Sequence, residues 1–296
     1  MSLANRLSLL TLEDFIACHD RVELEAAIRA RCQSVAVDPQ TILCRILGRY
    51  KFFVDCRDQG LAPHLMLDGY WEYWVSDFIW RNVKPGETVA DIGANLGYYT
   101  VLLADLVGPG GRVMAFEPNP RLFDLLQRNV AINGFSRWAN CHAKAVAAKS
   151  GEWLNFRALV TDPKNGALSP AASDRQPDPD HIELAVETQA FDDLSVGPIS
   201  FLKIDVEGAE EALWSGLQQT IARNPNIKIL LEFNSFRCRA PERMIAEMAE
   251  LFPLRKLDYD AVVRSTDAAH LLRDPEDTML YLSRTDPVDF STPSSF

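Results

Sequence analysis

Val89-Ala90-Asp91-Ile92-Gly93-Ala94-Asn95-Leu96-Gly97-Tyr98-Tyr99-Thr100 decides how this 296-residue chain folds. An apolar run over Thr88–Ile92 ends in a turn through Gly93 and Gly97, and a helical stretch over Tyr98–Val107 follows at once. A buried strand that passes through a glycine turn into a helix is the opening unit of a βαβ crossover. Glycine at those two points permits positive φ and lets the backbone approach a ligand with no side chain in the way.

Outward from the turn, the same alternation continues. Arg112–Phe116 reads as the next strand, Leu122–Ile132 as a helix and Cys141–Val146 as a third strand. Ile199–Val206, Glu210–Ala222, Ile227–Phe233 and Glu242–Leu251 extend the pattern, and Leu254–Asp258 and Thr278–Leu282 could pair antiparallel at one edge. Strand and helix at this spacing predict an α/β fold with a mostly parallel sheet covered on both faces. Upstream, residues 11–35 read as helix, Tyr50–Val54 as a short strand, Gly60–Pro63 as a turn and Tyr70–Val83 as an aromatic-rich helix, up to the break at Pro85-Gly86. This divides the chain into a mainly helical extension with a short strand pair, 1–85, and a core domain, 86–296. Asp162–His181, with four prolines, interrupts the alternation between Leu154–Val160 and Ile182–Val186. A long loop of this kind reads as a lid over 162–182.

Composition bounds the function. A net charge of −11 and a pI near 5.0 repel phosphate backbones, which argues against nucleic-acid binding. No apolar run approaches the roughly 20 residues that span a bilayer, and the start lacks a secretory pattern, so the expectation is a cytoplasmic protein without membrane insertion. The six cysteines show neither a C-x-x-C pair nor metal-ligand spacing with histidine.

The turn departs from the dinucleotide pattern G-x-G-x-x-G, since Asn95 and Tyr98 stand where the second and third glycines belong. Asp91, two residues before Gly93, would meet a pyrophosphate charge against charge; a carboxylate there suits the sulfonium and ammonium of S-adenosylmethionine. Glu117, twenty residues past Gly97, stands where an acidic group reaches both hydroxyls of a ribose. Asp205 and Glu207 end the fourth strand of the sheet and point at the same crevice, because ligands of open α/β sheets sit outside the carboxyl ends of the strands. If the acceptor is a hydroxyl, a base must take its proton, and Asp205 is the first candidate, Glu207 the second. Glu207 acting only on the dipole of the following helix is the structural alternative. Glu232 and Asn234 end the fifth strand and add oxygen ligands that could hold Mg2+.

Asp91–Thr100, Ala115–Pro120 and Lys203–Gly208, in this order, resemble the FkbM family of S-adenosylmethionine-dependent methyltransferases over about residues 86–285. The resemblance implies a class I, Rossmann-like methyltransferase fold with a seven-stranded sheet, an antiparallel last strand at its edge, and O-methylation. It implies that Asp91, Gly93, Asn95, Gly97 and Thr100 line the methionine end, and that Glu117 holds the ribose. It further places the Asn119-Pro120 turn near the adenine, with Ala145-Val146 offering it backbone groups. Asp68-Gly69-Tyr70-Trp71-Glu72 resembles the family's approach segment, so Tyr70, Trp71 and Trp74 either cover the ligands or pack in the core. His64 is a lone loop histidine, and Arg237 and Arg239 either bind an anionic acceptor or remain solvated. The acceptor expected is a small molecule or saccharide, and an amphipathic N-terminal helix could support a homodimer. The rival readings are an NAD-linked oxidoreductase and an inactive cofactor-binding module.

Overall fold

The computed structural model describes residues 3, 8–163, 166–169 and 178–288. Positions 164, 165 and 170–177 of the expected lid lie outside the described residues.

The expected helix over 11–35 is two helices and a strand. Helix α1 (Leu12–Ala17) starts with a capping box, in which the Thr11 hydroxyl and the Asp14 carboxylate each accept the other's backbone N–H. Asp20 then caps a new helix, α2 (Arg21–Arg29), by accepting the N–H groups of Val22 and Glu23. A side chain that satisfies two first-turn donors restarts the helix in another direction. Strands β1 (Ser34–Ala36), β2 (Thr41–Ile46) and β3 (Tyr50–Asp55) form a three-stranded antiparallel sheet. The turn expected at Gly60–Pro63 runs into α3 (Ala62–Leu67), whose Pro63 sits in the first turn, where its missing N–H costs nothing. Helix α4 (Tyr73–Asn82) ends the extension.

The main sheet begins with β4 (Thr88–Ile92), followed by α5 (Tyr98–Val107), β5 (Arg112–Phe116), α6 (Pro120–Ile132) and β6 (Ala139–His142). Strands β7 (Ala145–Val146), β8 (Trp153–Leu159), β9 (Ala167–Ser169) and β10 (His181–Gln189) form a small second sheet in the order β7-β10-β8-β9. The main sheet resumes with β11 (Phe201–Ile204), α7 (Glu210–Ser215), α8 (Gln218–Arg223), β12 (Lys228–Phe233) and α9 (Pro241–Leu251). It closes with β13 (Arg255–Leu257), β14 (Val263–Ser265), α10 (Ala268–Leu271) and β15 (Thr278–Leu282). The single helix expected over Glu210–Ala222 is split at Gly216, where any Cβ would lie 2.3 Å from the Ala147 carbonyl oxygen.

The main sheet has eight strands in the order β14-β13-β15-β12-β11-β4-β5-β6. The five strands from β12 to β6 are parallel, and β15 runs antiparallel between β12 and β13. This is the class I methyltransferase fold. The antiparallel last strand is thus hydrogen-bonded on both sides, and the short β14, also antiparallel to its neighbour, makes the edge. The parallel strands read as continuous apolar runs because both faces are covered.

Helix α5 is apolar all round, and every residue but Asp105 is buried. One side lies on β4 and β5 and the other receives α4 and the N-terminal sheet, so no solvent face remains. Asp105 accepts hydrogen bonds from Arg49 (2.6 Å) and the Tyr50 hydroxyl (2.8 Å), which ties that sheet to the helix. Phe15, Trp80, Phe52, Leu102 and Val89 belong to one buried cluster, so the extension and this face of the main sheet share a core. The opposite face packs on α7, α8 and α9 through Trp214, Ile221 and Met248.

Candidate active site

The carboxyl ends of β4, β5, β11 and β12 open on a cleft of about 1040 Å³, at the upper end of the usual range for small-molecule sites. One wall is Trp71, Trp74 and Tyr259, another is Phe156 and Leu168 of the small sheet, and the floor carries Glu117, Asp205 and Glu232.

The glycines earn their place by packing. Gly93 and Gly97 have φ of 76° and 92°, in the left-handed region. A Cβ on Gly93 would lie 1.8 Å from the Asp205 carbonyl oxygen, and one on Gly97 would lie 2.7 Å from Leu126. Gly93 lets the β4 turn pass against the end of β11, and Gly97 lets α5 approach α6. Asn95, at φ 53°, takes the remaining left-handed position that asparagine tolerates. Its own Oδ1 accepts the Leu96 N–H at 2.7 Å.

The turn spends its N–H groups internally. Gly93 and Ala94 donate to the Phe116 carbonyl, Gly97 donates to that of Ala94, and Asn95 donates to Glu117 at 2.8 Å. With Leu96 bonded to Asn95, no N–H from Gly93 to Gly97 is left to cradle a pyrophosphate. The geometry therefore disfavours the dinucleotide reading on the same residues that made it a rival.

Glu117 is 5% exposed and lines the cleft. Its two oxygens accept the N–H groups of Asn95 and Asn119, each at 2.8 Å. Each oxygen keeps a second lone pair, which is what two neighbouring hydroxyls require. Burial pushes its pKa up to about 7, against the lowering effect of the two amide donors. Asn119 is wholly buried; it caps α6 through the Arg121 N–H and reaches the cleft only by way of Glu117. Ala145 lines the cleft beside Val146.

The opposite end is charged. Asp91 and Lys203 are register partners on β4 and β11, and both are buried. The Thr100 hydroxyl donates to Asp91 Oδ2 at 2.6 Å, while Oδ1, buried as well, has no hydrogen-bond partner. Thr100 and Gly97 thus shape this end from behind rather than line it. Lys203 Nζ donates to Asp205 at 2.6 Å and lies 4.6 Å from the centre of the Tyr99 ring. Burial opposes the lysine's charge, but Asp205, Asp91 and Glu72 overcome it and hold its pKa above the ordinary value. Burial, with the charge of Asp205 next, drives Glu232 strongly upward, so Glu232 is the protonated partner of that pair. Asp91, wholly buried, is itself pushed above the ordinary carboxylate value by desolvation, against the lowering pull of Lys203 and of the Thr100 hydroxyl. The residues fit a ligand with a diol at one end and positive charge at the other; Gly93 and Asn95 line the cleft, whereas Asp91, expected to line it, is wholly buried behind the turn and is not part of the lining.

Mg2+ finds no such fit. Among the described residues, no group of three His, Cys, Asp or Glu side chains is arranged to hold a metal ion. The cation that sits among these carboxylates is the lysine of the same motif. Glu207 also lines the cleft, but its carboxylate is ion-paired with Arg237, whose other arm holds Asp277 at 2.8 Å. Arg237 is therefore committed to carboxylates, not left open for an anionic acceptor.

The sequence profile of the methyltransferase FkbM domain matches residues 91–261, more than half of the chain. This chain belongs to the FkbM methyltransferase family. Over 52 residues, 18% of the chain, it is 48% identical to protein-L-isoaspartate O-methyltransferase from Aeropyrum pernix. That match spans only about a fifth of the relative's length (20%). It is 24% identical over 196 residues to methyltransferase sdnD from Sordaria araneosa, covering 52% of this chain and 75% of that protein. Among solved structures it is similar to the FkbM methyltransferase from Methylobacillus flagellatus, at 17% identity and a TM-score of 0.41, covering 74% of this chain and 52% of that one.

In this FkbM chain, sequence reasoning missed Lys203, Tyr99 and Glu72 as site residues. A signal for the first was present: Lys203 is the one charged residue in the otherwise apolar strand Phe201–Ile204, and a lysine in a strand buried on both faces needs carboxylate partners. His64 and Trp71 also reach the cleft, with ring centres 5.1 Å apart. No helix among the described residues is long and apolar enough to cross a membrane.

Proposed function

We propose that this chain transfers a methyl group from S-adenosylmethionine to a hydroxyl oxygen of a small-molecule or saccharide acceptor. The observation that carries this reading is the polarity of the cleft, with the hydroxyl-accepting Glu117 at one end and three acidic side chains around one lysine at the other. Bound there, the donor supplies an electrophilic methyl group on a sulfonium centre.

The chain's own residues do the rest. Glu117 orients the ribose, Ala145 borders the adenine, and Asn95 and Asn119 fix the Glu117 carboxylate through their N–H groups. The acidic side chains gathered at Lys203 (Asp205, Asp91 and Glu72) favour the cationic end. Asp205, at the floor of the cleft, takes the proton of the acceptor hydroxyl as the new bond forms. Its ion pair with Lys203, at 2.6 Å, holds the carboxylate in place. Glu207, tied to Arg237, shapes the acceptor side instead. Trp71, Trp74 and Tyr259 offer flat apolar faces against which a sugar or polyketide ring can lie. Proximity and orientation supply most of the acceleration expected of such a site.

The test is transfer from methyl-labelled S-adenosylmethionine to a panel of hydroxylated glycosides and polyketides, with isoaspartyl peptides and ribosomal RNA as competing acceptors. Label recovered as a methyl ether supports the reading. Label recovered only as a methyl ester on peptide, or only on RNA bases, overturns the acceptor class.

A further inference from the structure

Among the described residues, every lysine and arginine that lines the cleft is already held by a carboxylate. Lys144 pairs with Glu187 at 2.8 Å, Lys203 with Asp205 at 2.6 Å and Lys256 with Asp258 at 3.1 Å. Arg237 is shared between Glu207 and Asp277. The loop before β15 adds two more acidic groups to the lining, Asp274 and the exposed Glu276. The cleft therefore has acidic side chains in excess and its cations are committed.

Strand order locates the excess. Asp205 follows β11, with β4, β5 and β6 on one side and β12, β15, β13 and β14 on the other. Glu117 follows β5, so a donor held there leaves the β12–β15–β13 side for an acceptor that must reach Asp205. Asp258, Glu276 and Asp277 all lie on that side, and so does an aromatic corner. Tyr259, in the turn between β13 and β14, meets Trp74 of α4 with ring centres 4.6 Å apart and planes at 77°. Arg21 of α2 donates to the Tyr259 carbonyl at 2.6 Å, which fastens the turn to the extension. The Tyr259 side chain is nevertheless 69% exposed. An aromatic ring fixed in place but open to solvent is a surface against which a ligand ring can lie.

We infer that the acceptor sits between Asp205 and Tyr259, against Trp74 and Tyr259, and that this half of the cleft selects an acceptor bearing neither phosphate nor carboxylate. This deepens the methyl-transfer reading above and rests on it. An anionic group entering this half meets charge of its own sign, and a cation drawn away to receive it leaves a carboxylate behind without its partner. Discrimination by like-charge repulsion needs no contact with the rest of the acceptor. An uncharged hydroxylated ring suffers neither penalty: its hydroxyls donate to the carboxylates while its apolar face covers the aromatic corner.

The experiment measures quenching of tryptophan fluorescence by caesium and by iodide at low ionic strength, each normalised to N-acetyltryptophanamide. Trp153, 65% exposed on β8, supplies the ratio set by the overall net charge of −11, from the difference between wild type and Trp153→Phe. Trp74→Phe, made in the Trp153→Phe background, isolates the indole of the cleft. The caesium-to-iodide ratio at Trp74 is expected to exceed that at Trp153 about threefold or more, and to drop about twofold with Glu276→Lys, an exposed position. Equal ratios at the two indoles, or a ratio indifferent to Glu276→Lys, overturn the assignment. Where Trp74→Phe lacks a cooperative melt, the response of the Trp153→Phe protein to Glu276→Lys decides alone. Methyl label that goes to a sugar phosphate in preference to the same sugar without phosphate also overturns it. Wild-type protein that fails to bind S-adenosylhomocysteine overturns the donor reading itself, a result distinct from any quenching ratio.

Discussion

Glu117→Gln separates the cost of this site to the fold from its use in binding. Free glutamate titrates near 4.5 and Glu117 in the fold near 7, a gap worth roughly 3 kcal/mol at ~1.4 kcal/mol per pH unit. The sign follows from the raised folded value. Between those limits the folded chain holds a proton that the unfolded chain releases, so this contribution is intact below 4.5, falls as pH rises and is lost above about 7. Glutamine removes that loss but turns an NH2 group toward the N–H of Asn95 or Asn119, and an orphaned buried donor costs about 1–3 kcal/mol. At pH 8 the two effects offset, whereas at pH 5 more of the orphan cost stands uncompensated. Thermal melts of the ligand-free protein should therefore show the variant clearly less stable than wild type at pH 5 and close to it at pH 8. Binding moves differently. Two ribose hydroxyls lose a charged acceptor at about 1.5–3 kcal/mol each, so titration at pH 8 should show S-adenosylhomocysteine affinity reduced roughly 100-fold or more. Affinity within threefold of wild type, or the same melting difference at both pH values, would refute the reasoning.

Asp205→Asn should slow methyl transfer by roughly 10²–10⁴ with S-adenosylhomocysteine affinity changed less than threefold, measured by single-turnover kinetics and titration; equal losses would make Asp205 a donor ligand rather than the base. Lys203→Met leaves buried carboxylates without their cation, an expected cost of about 3–5 kcal/mol, visible as a melting point lowered by roughly 6 °C or more; a melt matching wild type would show that the ammonium is dispensable. Gly97→Ala, at φ 92° with Leu126 2.7 Å from the new Cβ, should lose about 1–3 kcal/mol in denaturant unfolding, and a loss under about 0.5 kcal/mol would contradict the packing role.

Much of the frame was legible in the residues. The runs at Thr88–Ile92, Tyr98–Val107 and Arg112–Phe116 coincide with β4, α5 and β5, because continuous apolar strands and a glycine turn are local features that tertiary contacts reinforce. The extension was harder to read. Its helical periodicity ran on through Asp20, whose side chain starts a second helix, and its three strands depend on pairing for their existence. The placement of β15 between β12 and β13 was likewise not local, since a strand's sequence does not state which neighbours it will bond.

By itself, the sequence determined the α/β alternation, the glycine turn with its preceding Asp91 and the presence of carboxylates at four strand ends. Those properties are carried by residue type and spacing along one chain. The tertiary structure alone decided which carboxylates meet. It brought Lys203 into register with Asp91, set Glu72 of the extension against Tyr99, turned Glu207 to Arg237, and buried Glu117 and Glu232 deeply enough to raise their pKa values. Charge neutralisation and desolvation depend on distance and on exclusion of water, and both are created only when segments remote in sequence pack together.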